Sequence, residues 1–233
     1  MINDIYFPGH LSSEELDEYL IKGWYRMGKF LFSTNHIEYD EQLYRVFWLR
    51  YNIGSIIFGK VQRRIMSLNQ QFSIEIKTLT ITEELEELYS LYKSNISFQP
   101  PPTVRSYLDY DDESAIFNTD IIEIRDNNTL VAAGIFDKGN KSVAAIMNFY
   151  NPEYKKFSLG KYMMLLTINI AKDLGKTWYY PGYIIYSNPK FDYKLFIDKT
   201  AAEIYLPDKE IWINYDTKLM AVIQQEGMES TDS

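Results

Sequence analysis

A chain of 233 residues with 46% hydrophobic content is long enough to bury one large core or two small ones. Its lack of cysteine excludes disulfides, thiolate zinc sites, cysteine-ligated iron–sulfur clusters and a cysteine nucleophile, and two histidines leave little for an imidazole-based triad. The net charge of −8 argues against a phosphate partner, yet residues 20 to 64 hold eight Lys or Arg against three acids, a local +5 that leaves −13 elsewhere.

The opening "MINDIYFPGH" shows no basic region followed by an apolar one, and no apolar run approaches the roughly 18 residues that span a bilayer. No membrane partner and a cytoplasmic location are therefore expected. Ser12 and Glu15 have capping-box spacing, and Leu16, Tyr19 and Leu20 form the stripe of a short helix ending near Gly23. From Trp24 to Gly59 aromatic and β-branched segments alternate with turn residues, which predicts strands. "KVQRRIMSLNQQ" returns to mixed polar character, and a boundary near residue 70 divides an N-terminal α/β region (1–70) from a second domain (71–222) and a disordered tail (223–233).

In "SIEIKTL" the alternation predicts a half-buried strand, and in "TEELEELYSLYKSN" Leu85, Leu88, Tyr89 and Tyr92 share a helical face behind an acidic first turn. "QPPPT" interrupts regular structure, and "VRSYLDYDDESAIF" reads as an irregular helix or a loop over a site. "DIIEIRD", "TLVAAGIFD" and "SVAAIMNFY" are separated by turn pairs and predict an antiparallel meander. From Leu159 the apolar residues Tyr162, Met163, Leu166, Ile170 and Leu174 hold helical spacing until Gly175. "TWYYPGYII" follows as a strand, then a short helical piece around Phe191 to Phe196 and closing strands near Glu203–Leu206 and Glu210–Tyr215.

Two stretches carry the chemistry. "FSLGK" at 157–161 places a glycine in the first turn of a helix, where free N–H groups and the helix dipole hold an anion; Lys155, Lys156 and Lys161 add charge. Ser158 as a helix cap and Gly160 as a packing residue explain it equally well. "TWYYPGYIIYSNPKFDYK" sets five tyrosines on a strand that ends at a polar turn, and its hydroxyls are donors for a substrate or simply amphipathic packing. His10 and His36 lack partners at ligand spacing, and no metal site is expected.

The order of elements resembles the GCN5-related acyltransferases, in which the turn before the helix receives the pyrophosphate of coenzyme A. The run from Asn148 to Phe196 more closely resembles the C-terminal domain of the arginyl-tRNA protein transferases and bacterial leucyltransferases. It does so through Tyr150 and Pro152, Ser158 to Gly160, Leu174 and Gly175, Tyr179, Tyr180, Gly182, Tyr183 and Ile185, then Lys190, Tyr193 and Lys194. "LIKGWYRMGKFLF", "YRVFWLR" and "KVQRRIMSLN" extend the resemblance upstream.

The resemblance implies an α+β, GNAT-like acyltransferase fold, a mixed and mostly antiparallel sheet flanked by helices with a small N-terminal α/β region packed on it. It implies transfer of an amino acid from aminoacyl-tRNA, as co-substrate, to the amino group of an acceptor protein, peptide or small amine. Tyr180, Tyr183 and Lys194 are its implied catalytic residues. Ser158, Leu159, Gly160, Lys161, Tyr186, Lys190 and Tyr193 would bind substrate, and Arg26, Arg63, Arg64, Lys155 and Lys156 the tRNA. Apart from the resemblance, Asp111 and Asp112 in "DYDDES" fit an active-site loop that selects a cationic donor side chain such as arginine, and exposed loop acids explain them as easily. An acyl-CoA-dependent N-acyltransferase using acetyl-CoA or another acyl-CoA is the alternative, and a non-catalytic binding protein a third. The family's N-terminal cysteine cluster has no counterpart here, where Asp40, Glu41 and Gln42 stand at its place, and the segment after Lys194 also departs from the family pattern.

Overall fold

The structure, a computed structural model, describes residues 4–39, 42–96, 100–110, 115–185, 188 and 190–220. Tyr186, Asp111, Asp112, Asp40, Glu41 and the tail lie outside the described residues. Among those described, no helix is long and apolar enough to cross a membrane.

The N-terminal part folds as the alternating pattern predicts. Strand β1 (Asp4–Tyr6) precedes helix α1 (Ser13–Ile21), whose start is fixed by the reciprocal bonds between Ser12 and Glu15. Strands β2 (Tyr25–Met27) and β3 (Phe30–Ser33) complete a three-stranded sheet in the order β1-β3-β2. A hairpin of β4 (His36–Tyr39) and β5 (Gln42–Asn52) follows, then helix α2 (Lys60–Leu68).

Beyond α2 come β6 (Ser73–Thr78), α3 (Glu83–Lys93), α4 (Val104–Leu108) and the meander β7 (Thr119–Asp126), β8 (Thr129–Lys138) and β9 (Ser142–Tyr150). A 3-10 turn (Pro152–Phe157) leads into α5 (Leu159–Asp173) and β10 (Trp178–Ile185). A second 3-10 turn (Asp192–Phe196) precedes β11 (Ala202–Leu206) and β12 (Ile211–Asn214). The large sheet runs β12-β11-β5-β10-β9-β8-β7-β6, with β4 attached to β5. β5 is thus hydrogen-bonded between β11 and β10, and one sheet spans both sides of residue 70.

Strand β6 departs from the expected half-burial. It is an edge strand, and Ile74 and Ile76 remain 41% and 46% exposed. The central strands are covered on both faces. α5 and α2 pack on one face over Phe47, Tyr51, Ile122, Val131, Phe136 and Tyr179. On the other face α3 and α4 cover Ile121, Ala133, Ile135 and Phe149, and α1 with the small sheet covers Trp48, Ala144 and Tyr180.

Every pairing in the large sheet is antiparallel except one. β9 and β10 run parallel, and their pairing is confined to Ser142–Ala144 against Trp178–Tyr180. Past that point both strands carry irregularities, β9 near Ile146 against β8 and β10 between Tyr179 and Gly182 against β5. Such bulges bend a strand and end its pairing. The two strands therefore part, and the sheet opens.

Candidate active site

The opening between β9 and β10 holds a cavity of about 850 Å³. One wall is β9 from Ala145 to Asn148 and Tyr150, with Tyr92 of α3 beside it. The opposite wall is Tyr179 and Pro181 of β10, and Lys190, Phe191, Tyr193 and Lys194 close the mouth. Lys155, Ser158, Gly160, Lys161 and Met164 line the side formed by the start of α5.

Local chemistry sets the entry to α5. Asn151 opens the preceding turn by accepting from the Glu153 N–H, and Asn69 of α2 donates to the Phe157 carbonyl at 3.0 Å, fixing the turn from outside. Ser158 then adopts a left-handed backbone, φ +54°, and its hydroxyl makes no capping bond. The first N–H groups of this 15-residue helix, which no intrahelical carbonyl can reach, therefore receive no cap from Ser158, and they carry the positive end of the dipole. Gly160 lies against the Tyr150 ring, 3.5 Å from where a Cβ would stand. The turn thus combines features of both sequence readings of "FSLGK": the Ser158 side chain does not cap it, and Gly160 packs against a ring.

Lys194 is the chemically unusual group. Its Nζ makes no ion pair with a described residue and meets only ring faces, Tyr193 at 4.6 Å, Phe191 at 5.4 Å and Tyr183 at 5.6 Å. A ring face favours the cation by about 0.5–2 kcal/mol, but loss of water disfavours it more. Burial wins, and the Lys194 pKa falls to about 8. Its backbone is held from below, since the Tyr51 hydroxyl of β5 donates to the Lys194 carbonyl at 2.8 Å. The stem passes over Gly182, whose absent Cβ would lie 3.6 Å from Cε and whose φ of +95° disfavours any side chain.

The sequence-predicted residues divide. Ser158, Gly160, Lys161, Lys155, Lys190, Tyr193 and Lys194 come together around the cavity. Leu159 is fully buried in the core, so only its backbone serves the helix start. Tyr183 stacks on Phe191 and packs edge-on against Trp48, beside Lys194 but outside the cavity lining. Tyr180 lies apart from the cavity. Successive residues of a strand point to opposite faces, and Tyr180 faces the aromatic cluster of Trp48 and Trp212, near the Arg50 charge.

Arg26 lies apart from the cavity as well. Its guanidinium is buried at 2.8 Å from Asp137, donates to Thr119 and Gly28, and covers the Phe117 ring, so it does not present itself to a phosphate. Arg45 and Arg50 of the same basic stretch are likewise paired, with Asp208 and Glu203. Arg63 and Arg64 are exposed on α2, which packs against α5 and also reaches the second turn through Gln62 and the Phe196 carbonyl. Lys156 is exposed with its Nζ over Phe157, outside the cavity. No group of three or more His, Asp or Glu side chains is arranged to hold a metal ion among the described residues.

Sequence reasoning missed Tyr92, Asn148, Met164 and Tyr179 as cavity residues, and Tyr51 as the support of Lys194. It also missed Tyr25, whose hydroxyl bridges the Tyr180 carbonyl, at 2.8 Å, and the Ala145 carbonyl where β9 and β10 separate. Only the helical face of α3, which includes Tyr92, was visible as a pattern.

A mixed, mostly antiparallel sheet opened between two parallel strands, with a helix start at the opening, defines an acyltransferase-type α+β fold. Residues 84–201 match the family described as "Arginine-tRNA-protein transferase, C terminus", just over half of the sequence, and the chain belongs to that family. An aspartate/glutamate leucyltransferase of Campylobacter jejuni (serotype O:23/36) is 27% identical over 216 residues, covering 87% of this chain and 84% of that protein. The enzyme of the same name from Aeromonas salmonicida is 27% identical over 183 residues, covering 73% and 70%. Among solved structures, L-PGS from Bacillus licheniformis aligns with a TM-score of 0.48 at 13% identity, over 63% of this chain and 48% of that one. FemX aligns with a TM-score of 0.44 at 9% identity, over 75% and 61%. The chain thus spans about half the length of the L-PGS structure.

Proposed function

We propose that this protein transfers an amino acid from aminoacyl-tRNA to the amino group of a protein or peptide, with Lys194 taking the proton that the attacking amine loses. The observation that carries the reading is the composition of the cavity. Its described lining contains four lysines (Lys155, Lys161, Lys190 and Lys194) and no carboxylate. Such a site attracts the phosphates of a tRNA end and an acidic acceptor residue, and it repels a cationic donor side chain. Ile146, Met147, Met164 and Phe191 offer apolar surface for an uncharged one, so a leucyl-type donor fits better than an arginyl one. The names of the Campylobacter and Aeromonas relatives agree with that choice.

The ester linking amino acid to ribose is already activated, and the protein's task is positioning and proton transfer. The acceptor nitrogen forms a bond to the ester carbonyl carbon, the carbon–oxygen bond to ribose breaks, and the ribose oxygen leaves with a proton. A lysine with a pKa near 8 is roughly one-fifth neutral at pH 7.4, enough to accept a proton and close enough to neutrality to return it. Lys155, Lys161 and the uncapped start of α5 face the phosphates, and exposed Arg63 and Arg64 extend the basic surface.

Transfer of radiolabelled amino acids from a charged total-tRNA pool to peptides with acidic, basic and neutral N-termini tests the reading, with acetyl-CoA as a parallel donor. Leucine delivered to acidic N-termini, and lost in Lys194→Ala, is the expected result. Acylation from acetyl-CoA alone overturns it.

A further inference from the structure

Tyr179 is the unexplained group in the cavity wall. The residue is wholly buried, yet its hydroxyl has no hydrogen-bond partner. Buried phenol hydroxyls nearly always find one, because a donor stripped of water and left unpaired destabilises the fold. Tyr51, whose ring centre lies 6.4 Å away, turns its own proton to the Lys194 carbonyl. Tyr25 bridges the Ala145 and Tyr180 carbonyls where the β9–β10 ladder ends. Among the described residues the Tyr179 proton is left unpaired.

We propose that the Tyr179 hydroxyl donates a hydrogen bond to the carbonyl oxygen of the ester under attack, stabilising the negative charge that gathers there. The inference rests on the transfer reaction proposed above. In that reaction the carbonyl oxygen gains an electron pair as the carbon–nitrogen bond forms and gives it back as the ribose oxygen leaves. Tyr179 keeps its proton throughout, as burial requires by raising its pKa above that of an ordinary phenol. A fixed donor in a water-poor site needs no reorganisation when the charge appears. Lys194 lies on the same cavity, and the attacking amine would stand between it and the carbonyl. Tyr193, 50% exposed, stands at the mouth through which the ester would enter.

Tyr179→Phe deletes the hydroxyl and nothing else, and the test reads transfer and melting temperature together. The expected result is a fall in kcat of about 100-fold or more, with KM within threefold and the Tm unchanged or raised. A variant that keeps more than a third of the wild-type kcat overturns this inference and leaves the transfer reaction standing. A lowered Tm also overturns it, since the hydroxyl would then be bonded in the free protein. Wild-type protein that transfers no amino acid from any charged tRNA overturns both readings at once.

Discussion

Tyr179 and Tyr180 are neighbours in sequence and share a residue type, yet they sit in opposite surroundings. On the α5 face Tyr179 borders a cavity, with an unpartnered hydroxyl and a lysine kept short of water. On the other face Tyr180 belongs to a closed aromatic cluster, where Trp178 and Trp212 stack on Arg50 at 3.9 and 4.4 Å and Glu203 neutralises it at 2.7 Å. The Arg50 charge on the cluster side is thus matched. On the cavity side the Tyr179 hydroxyl has no partner among the described residues, the condition of a group kept for a ligand.

Lys194→Met gives the contrast its largest expected effect. Transfer falls about 10³-fold, the range of a lost general base. The wild-type rate at low substrate rises with pH toward a plateau above about 8, and the variant's residual rate loses that rise. Stability moves the other way. Burial lowers the folded-state pKa from 10.5 to about 8, so the unfolded chain holds the proton more tightly. The penalty is fully present below pH 8 and disappears as pH climbs to 10.5. The variant is therefore more stable than wild type at pH 7, by about 1–3 kcal/mol in urea denaturation.

Arg26→Met inverts that pattern. It strands Asp137, whose second oxygen already lacks a partner, and destabilises the fold by about 3 kcal/mol in the same denaturation experiment. Transfer per folded molecule stays within twofold. Loss of tRNA affinity at unchanged stability would instead put Arg26 on the site side. Tyr180→Phe removes a hydroxyl that stands near the Arg50 charge, at a cost of about 1 kcal/mol or less, with transfer unchanged. The smallest effect belongs to Lys161→Ala, which raises KM for charged tRNA a few-fold and reduces by about one the slope of log affinity against log salt.

Much of this architecture could be read from the sequence because its elements are local. The meander, α3 and α5 follow from periodicity and turn residues, and the capping box of α1 from two side chains three apart. Alternation also says that Tyr179 and Tyr180 point apart, but not which face holds a cavity, since that depends on where β9 leaves β10. The bulge before Gly182 then resets the count and returns Tyr183 to the face of Tyr180. The charge of residues 20–64 misled for the same reason, because the acids that neutralise Arg26, Arg45 and Arg50 lie at 137, 208 and 203.

The position of β5 governs how this chain comes off the ribosome. Its buried run Val46–Tyr51 forms early in synthesis, but its partners in the large sheet other than β4 are β10 and β11, and Tyr51 meets Lys194 across 143 positions. At roughly 5–20 residues per second the strand waits on the order of 10 s with an aromatic surface uncovered. A polypeptide cut short before β10 lacks both of the strands that flank β5 in the large sheet, so the last third of the sequence closes a structure that the first third began.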